Sequence, residues 1–417
     1  MARLIFHIDV NSAFLSWEAV RRVSRGEEDI RLIPSAIGGD RDKRTGVILA
    51  KSIPAKKYGV KTGEPVAMAL RKCPELFLAK PDFHLYQKCS SAFLEICKKY
   101  APAVEQYSID ECFLDMSDTE RVYPDPVAIA EKIKNEIRDT LGFTVNVGIG
   151  PNKLLAKMAS DFEKPDRVHT LFFDELEEKF YPLPIRELFG IGASTAEKLQ
   201  RINIKTVGDL ARLDLPSVQA IVGNKFGLHL YNSARGVDDT PVESEEREAK
   251  CYGNSVTLEE NVVTFDRANS ILLALSDSVC ARMRADEMKT TCVSVTIRSD
   301  KFKNSSRQRT LDAPTDITGE VYEVTKSLFA SLWDRRTPLR LIGVSLSGIT
   351  DGEDVQLSLF SSDSDGNKEK SRKVDRAIDS IRNQFGSDKL MRGTTFGAGL
   401  HVGKKHNAEI DEINNKD

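Results

Sequence analysis

Cysteine offers this chain no framework. Seven cysteines, Cys73, Cys89, Cys97, Cys112, Cys251, Cys280 and Cys292, are scattered through 417 residues. None forms C-x-x-C and none has zinc spacing with histidine, so free thiols in a reducing compartment are expected. Long apolar runs are lacking too. The opening run Leu4 to Ile8 is broken by Asp9, too short and polar for a signal or membrane segment, so a cytoplasmic protein without membrane association is expected. A charge excess is also missing. The formal net charge is -3, which argues against uniform basicity and confines any nucleic-acid contact to local patches. No repeat of fixed period is present. The length suggests roughly two to four domains.

What is there alternates strand and helix at first. Leu4 to Val10 reads as a buried strand. Asn11 reads as an N-cap, with Phe14, Trp17 and Val20 following at helical spacing. Val104 to Tyr107 and Cys112 to Asp115 read as a hairpin with Ser108 to Glu111 at its turn. Phe143, Val145, Val147 and Ile149 alternate as a half-buried strand, and Asn152 caps the next helix. Residues 171 to 238 look helical and 250 to 350 β-rich. Ser361 to Asn367 is a polar linker, and Val374, Ala377, Ile378, Ile381 and Phe385 form one helical stripe.

Asp9 ends a strand that should be buried, and a buried carboxylate needs a partner or a metal. Asp110 and Glu111 sit at a hairpin tip. If the first strand lies beside that hairpin, three carboxylates converge and repel one another without a cation. Mg²⁺ suits such hard oxygen ligands. Exposed turn acids plus a strand-end cap would give the same pattern, and spacing alone leaves both readings open.

The segments Asp9-Val10-Asn11-Ser12-Ala13-Phe14, Tyr107 to Asp115, and Gly148 to Lys157 with Lys164-Pro165 resemble, in order and spacing, three motifs of the Y-family DNA polymerases. The pattern spans about residues 3 to 360 and is nearest the bacterial polymerase IV branch. Its Asp-x-Asn opening is shared with the polymerase V catalytic subunit. The resemblance implies a multidomain α+β fold: palm (1-11 and 79-170) with a mixed or antiparallel sheet and helices, small fingers (12-78), helix-hairpin-helix thumb (171-240) and β-rich little finger (247-350). A clamp-binding peptide and linker (351-367) and a C-terminal helix and tail (368-417) would follow. It implies low-fidelity, template-directed DNA synthesis by a monomer past damaged template, without proofreading. The substrates would be dNTPs and primer–template DNA. Two Mg²⁺ ions would be held by Asp9, Asp110, Glu111 and the Val10 carbonyl, with Glu111 also positioning or deprotonating the primer 3′-hydroxyl.

Around the nucleotide, Asn11, Ser12, Ala13 and Phe14 open a helix whose free N–H groups suit a triphosphate. Phe14 falls where the family places its steric gate against a 2′-hydroxyl, although pattern alone makes it a core residue. Lys56 and Lys164 match triphosphate contacts, although either alone would read as a solvated lysine. Many members have an aromatic residue three before an arginine where this chain has Ile53 and Lys56, so bidentate gripping is lost.

Leu188 to Leu199 reads as a helix-hairpin-helix. Gly190 and Gly192 would let backbone N–H groups reach a DNA phosphate; a tight turn with no ligand is the alternative. Arg298, Lys301, Lys303, Arg307 and Arg309 form a basic cluster, either a solvated face or a phosphate track. Gln356, Leu357, Leu359 and Phe360 resemble the peptide by which bacterial polymerases bind the sliding clamp; a last strand of the little finger is the alternative. A nucleotide cyclase with a similar palm and a catalytically inactive, DNA-bound replication accessory are the rival functions. No second acidic motif set of a proofreading kind is recognisable.

Overall fold

The computed structural model describes residues 3–39, 46–119, 121–245, 248–351, 365–386 and 389–393. These form two compact units that meet in sequence near residue 247. In the first, the elements run β1 (Ile5–Val10), α1 (Ala13–Ser24), β2 (Ser35–Gly38), β3 (Ile48–Lys51), α2 (Ile53–Lys57), α3 (Val66–Lys72), β4 (Phe77–Ala79) and α4 (Phe83–Lys98). They continue with β5 (Ala103–Gln106), β6 (Glu111–Asp115), α5 (Pro126–Leu141), β7 (Val145–Gly150), α6 (Lys153–Ser160) and β8 (Val168–Thr170). Four helices complete the unit: α7 (Ala193–Gln200), α8 (Val207–Ala211), α9 (Leu215–Val222) and α10 (Asn224–Ala234).

The central sheet has the order β5-β6-β1-β7-β8. All six residues of β1 are buried because both faces of the sheet are covered. Phe6, Ile8 and Val10 share one core with α1, α4 and α5, including Trp17, Phe93 and Ile133. Helix α6 covers the other face, which two glycines make possible. A Cβ on Gly148 would stand 2.0 Å from the Ala156 carbonyl oxygen, and one on Gly150 would stand 2.8 Å from the Ala156 nitrogen. Helix α6 therefore lies against bare backbone, and its polar side chains reach the sheet end where the carboxylates sit.

A small sheet, β3-β2-β4, packs with α2 and α3 on a separate core of Ile48, Ala55, Val66 and Leu76. Helix α1 instead buries Leu15, Trp17 and Ala19 in the core of the central sheet. The expected cap is displaced by one residue: α1 begins after Ser12, which has φ 50 and makes no side-chain cap bond. Asn11 Nδ2 donates to Thr144 Oγ1 at 3.2 Å instead.

The second unit comprises β9 (Cys251–Val262), α11 (Phe265–Ala285), β10 (Lys289–Ser299), β11 (Asn304–Thr315), α12 (Thr318–Leu332), β12 (Leu339–Thr350) and α13 (Asp365–Phe385). Its antiparallel sheet, β11-β10-β12-β9, buries Val293, Val295, Val344 and Leu346 with Ile271, Leu275 and Phe329 of the helices. Helix α13 departs from its apolar stripe. Val374, Ile381 and Phe385 are exposed while Asp375 is buried. Its docked face is ionic. Asp375 accepts from the Thr318 N–H at the start of α12 (2.8 Å) and pairs with Arg284 and Arg392, while Arg372 pairs with Asp316 and Arg382 with Asp277. Charge pairing, not burial of the stripe, sets which way the helix faces. The Gln356 to Phe360 peptide lies outside the described residues. No described helix is long and apolar enough to cross a membrane.

Candidate active site

The β1–β6 ladder pairs Asp9 with Glu111 and His7 with Phe113. Directly opposed residues leave a sheet on the same face, and i, i+2 residues share it. His7, Asp9 and Glu111 therefore form one polar patch under α6. Asp110 lies in the turn just before β6; its backbone oxygen accepts from the Val10 N–H at 3.0 Å, and its side chain accepts from Ser108 Oγ at 2.6 Å. The hairpin and strand end thus meet as the sequence anticipates.

Charge is unevenly settled there. Asp9 is buried, and burial pushes its carboxyl up, against the pull of Lys164 and Lys157. Lys164 pairs directly with Asp9 and reaches Asp161 at 2.8 Å. Burial would raise the Glu111 carboxyl, but the His7 contact and Lys157 hold it down at about 2. Lys157 Nζ stands 3.3 Å from Glu111 Oε1 and 3.5 Å from Asp161 Oδ2. Neither Lys157 nor His7 was singled out by sequence reasoning. Their spacing is ordinary for a helix and a strand, and only the close approach of α6 brings them to Glu111.

A cleft of about 420 Å³ opens above this patch. Asp9, Val10, Asn11, Ser12, Ala13, Phe14, Lys56, Asp110 and Lys164 all line it. The nucleotide candidates and two of the three carboxylates are therefore together. Glu111 lies beneath, facing Lys157 and His7. The first turn of α1 opens on the cleft, with the N–H-rich end that favours anions. Phe14 stacks on Tyr86 of α4, centroids 4.5 Å apart and planes 12° apart. Its ring is both half-buried and part of the lining.

The donor set fits Mg²⁺. It consists of hard oxygens, with the buried Asp9 carboxyl pushed up by burial despite its lysine partner, and such ions keep several sites for water and phosphate. Among the described residues no three His, Cys, Asp or Glu side chains are gathered closely enough to hold an ion unaided.

Comparison with known proteins decides the family. Residues 8–161 match the impB/mucB/samB family and residues 249–359 its C-terminal domain. Residues 186–238 match the DNA polymerase-iota thumb domain. DNA polymerase IV of Clostridium acetobutylicum is 41% identical, covering 94% of this chain and 98% of its own. DNA polymerase IV of Alkaliphilus oremlandii is 37% identical, covering 94% and 99%. The chain belongs to the Y family of DNA polymerases. A Y-family DNA polymerase chimera shares the fold at TM-score 0.73 and 24% identity, over 83% of this chain and 99% of that one.

Outside the cleft, the Y-family thumb places Gly190 at φ +88, a left-handed conformation that glycine adopts without strain. Gly192 starts α7 with open space where a Cβ would lie, so backbone at this hairpin is accessible. The basic cluster of the second unit is split. Arg307 and Arg309 pair with Val295 and Val293, whose side chains enter the core beneath the helices. They therefore lie on the helix side at the sheet edge, where Arg309 Nη2 donates to Ser327 Oγ of α12 at 3.2 Å. Arg298 follows core residue Ile297 and points to the open side, and Lys301 and Lys303 occupy the turn between the strands. One continuous track over all five is not formed, because strand parity divides them.

Proposed function

We propose that this Y-family DNA polymerase joins a primer 3′-hydroxyl to the α-phosphate of a dNTP, releasing pyrophosphate, at Asp9, Asp110 and Glu111. The observation that carries the reading is the single cleft in which Asp9, Asp110, the start of α1, Phe14, Lys56 and Lys164 meet, with Glu111 paired to Asp9 beneath it. Two Mg²⁺ ions, held by those carboxylates and the Val10 carbonyl, would supply charge stabilisation for the attacking and leaving oxygens. The chain's own residues do the rest. The first turn of α1, Lys56 and Lys164 bind triphosphate oxygens. The Phe14 ring excludes a 2′-hydroxyl. Glu111 positions or deprotonates the primer 3′-hydroxyl.

DNA is held outside the cleft by the Gly190–Gly192 backbone and by Arg298, Lys301 and Lys303 on the open side of the second unit. Synthesis is low in fidelity, tolerant of damaged template, without proofreading and carried out in the cytoplasm by a monomer. Gln356, Leu357, Leu359 and Phe360 recruit it to the sliding clamp, which raises its effective concentration at primer ends. Replacing Leu359 and Phe360 by alanine should abolish clamp-stimulated synthesis and leave clamp-free synthesis intact. The primary test is extension of a labelled primer with Mg²⁺ and dNTPs. Template-matched products support the reading, whereas no product under any metal condition leaves an inactive replication accessory.

A further inference from the structure

The polar patch beneath the cleft contains a side chain with no part in the reaction as described. His7 is fully buried, two residues before Asp9 and on the same sheet face. Its Nε2 stands 3.3 Å from Glu111 Oε2 and makes no well-aligned hydrogen bond. Its Nδ1 stands 2.7 Å from Ser160 Oγ, at the end of α6. The ring is fixed against Phe113, centroids 4.6 Å apart.

A carboxylate only accepts, so His7 holds Glu111 through a proton on Nε2. Ser160 Oγ also donates to the Lys157 carbonyl oxygen at 2.8 Å, so it anchors the ring at Nδ1 and ties it to α6. The order Ser160, His7, Glu111 is not a hydrolytic triad, since Ser160 and His7 are both fully buried. It connects α6, which closes over Gly148, to the carboxylate opposite Asp9.

We propose that His7 is a positioning residue for Glu111, anchored by Ser160 and holding the Glu111 carboxylate on the face it shares with Asp9. The inference rests on Glu111 being one of the acidic residues that bind the reaction's cations. Groups that orient ligands through one further hydrogen bond commonly contribute 10- to 100-fold to metal affinity or activity.

The test uses the full chain with His7→Phe, which keeps ring and volume, and His7→Gln, whose amide reaches the place of Nε2. Three quantities are read: kcat and KM for single-nucleotide insertion, the half-saturating Mg²⁺ concentration, and Mn²⁺ binding to the DNA-free chain by electron paramagnetic resonance. His7→Phe should lower kcat by about 10- to 100-fold, leave the KM for dNTP nearly unchanged, weaken Mn²⁺ binding and raise the Mg²⁺ requirement. His7→Gln should recover most of the loss. Ser160→Ala should move the same readouts in the same direction by less, and it serves if His7→Phe fails to fold. Parent-like kcat and metal dependence in His7→Phe, or a loss that His7→Gln does not recover, overturns the proposal. A Glu111→Gln control separates the two levels. If that control is inactive while His7→Phe is normal, only the positioning role fails. If it extends primers and binds Mn²⁺ normally, the metal reading of Glu111 fails and takes the His7 role with it.

Discussion

Asp9 on β1 stands directly across the ladder from Glu111 on β6, and each carboxylate meets a lysine from the α6 side, Lys164 on Asp9 and Lys157 on Glu111. The two acids nonetheless settle in opposite directions, Asp9 raised by burial and Glu111 held at about 2. The sheet end is thus poised to gain from a further cation at Asp9.

That asymmetry has a thermal signature. A carboxyl raised in the folded state binds its proton more tightly there than in the unfolded chain. Its contribution therefore falls as pH rises through the aspartate range and is a penalty at neutral pH. Asp9→Asn removes the charge and keeps the shape, while Lys164 retains Asp161. In EDTA at pH 7 the variant should melt higher than the parent, by about 2 °C or more. Added Mg²⁺ should raise the melting temperature of the parent and not of the variant. A variant that melts at or below the parent in EDTA would contradict the burial account.

Sugar choice should depend on a pair of rings. Phe14→Ala should raise ribonucleotide incorporation relative to deoxynucleotide by about tenfold or more. Tyr86→Leu, which removes the ring stacked on Phe14, should shift the same ratio by less. Competition between rNTP and dNTP opposite one template base measures both, and an unchanged ratio in Phe14→Ala returns that residue to a packing role.

Strand parity makes a prediction about DNA. Helices cover one side of the second unit's sheet, so a duplex has access to the open side. Replacing Arg298, Lys301 and Lys303 by alanine should weaken binding on every sequence and flatten the plot of log affinity against log salt by about one unit per lost phosphate contact. Replacing Arg307 and Arg309 should leave the slope nearly as it was. The opposite pattern would place the phosphates at the β11 edge.

Much of this was legible beforehand and some was not. Asp9, Asp110 and Phe14 could be found because their motifs are local in sequence. His7, Ser160 and Lys157 could not, since their meeting at Glu111 depends on how far α6 sinks onto Gly148. The division of Arg298 from Arg307 and Arg309 depends on the β10–β11 register, which a string of basic residues does not encode. The stripe on α13 was visible, but the buried Asp375 facing Arg284 and the Thr318 N–H decided its orientation.

Asp375→Ala should accordingly act on stability. It would leave the Thr318 N–H at the start of α12 without its acceptor, while Arg284 keeps Asp379 and Arg392 keeps Asp277, a cost of about 1–3 kcal/mol for the unsatisfied buried donor. Thermal melting should show an earlier transition in the second unit, while Val374→Ala on the exposed stripe should have little effect. Equal melting of Asp375→Ala and the parent would mean that α13 is only loosely attached.

The most direct test of the central claim is single-turnover nucleotide insertion by Asp110→Ala, measured at saturating enzyme beside its affinity for the same primer–template. Asp110 touches the cleft and no buried ion pair, so its removal should spare folding and DNA binding. The account predicts insertion reduced by about 1,000-fold or more with affinity for DNA unchanged. Insertion at the parent's rate, with equal DNA affinity, would contradict it.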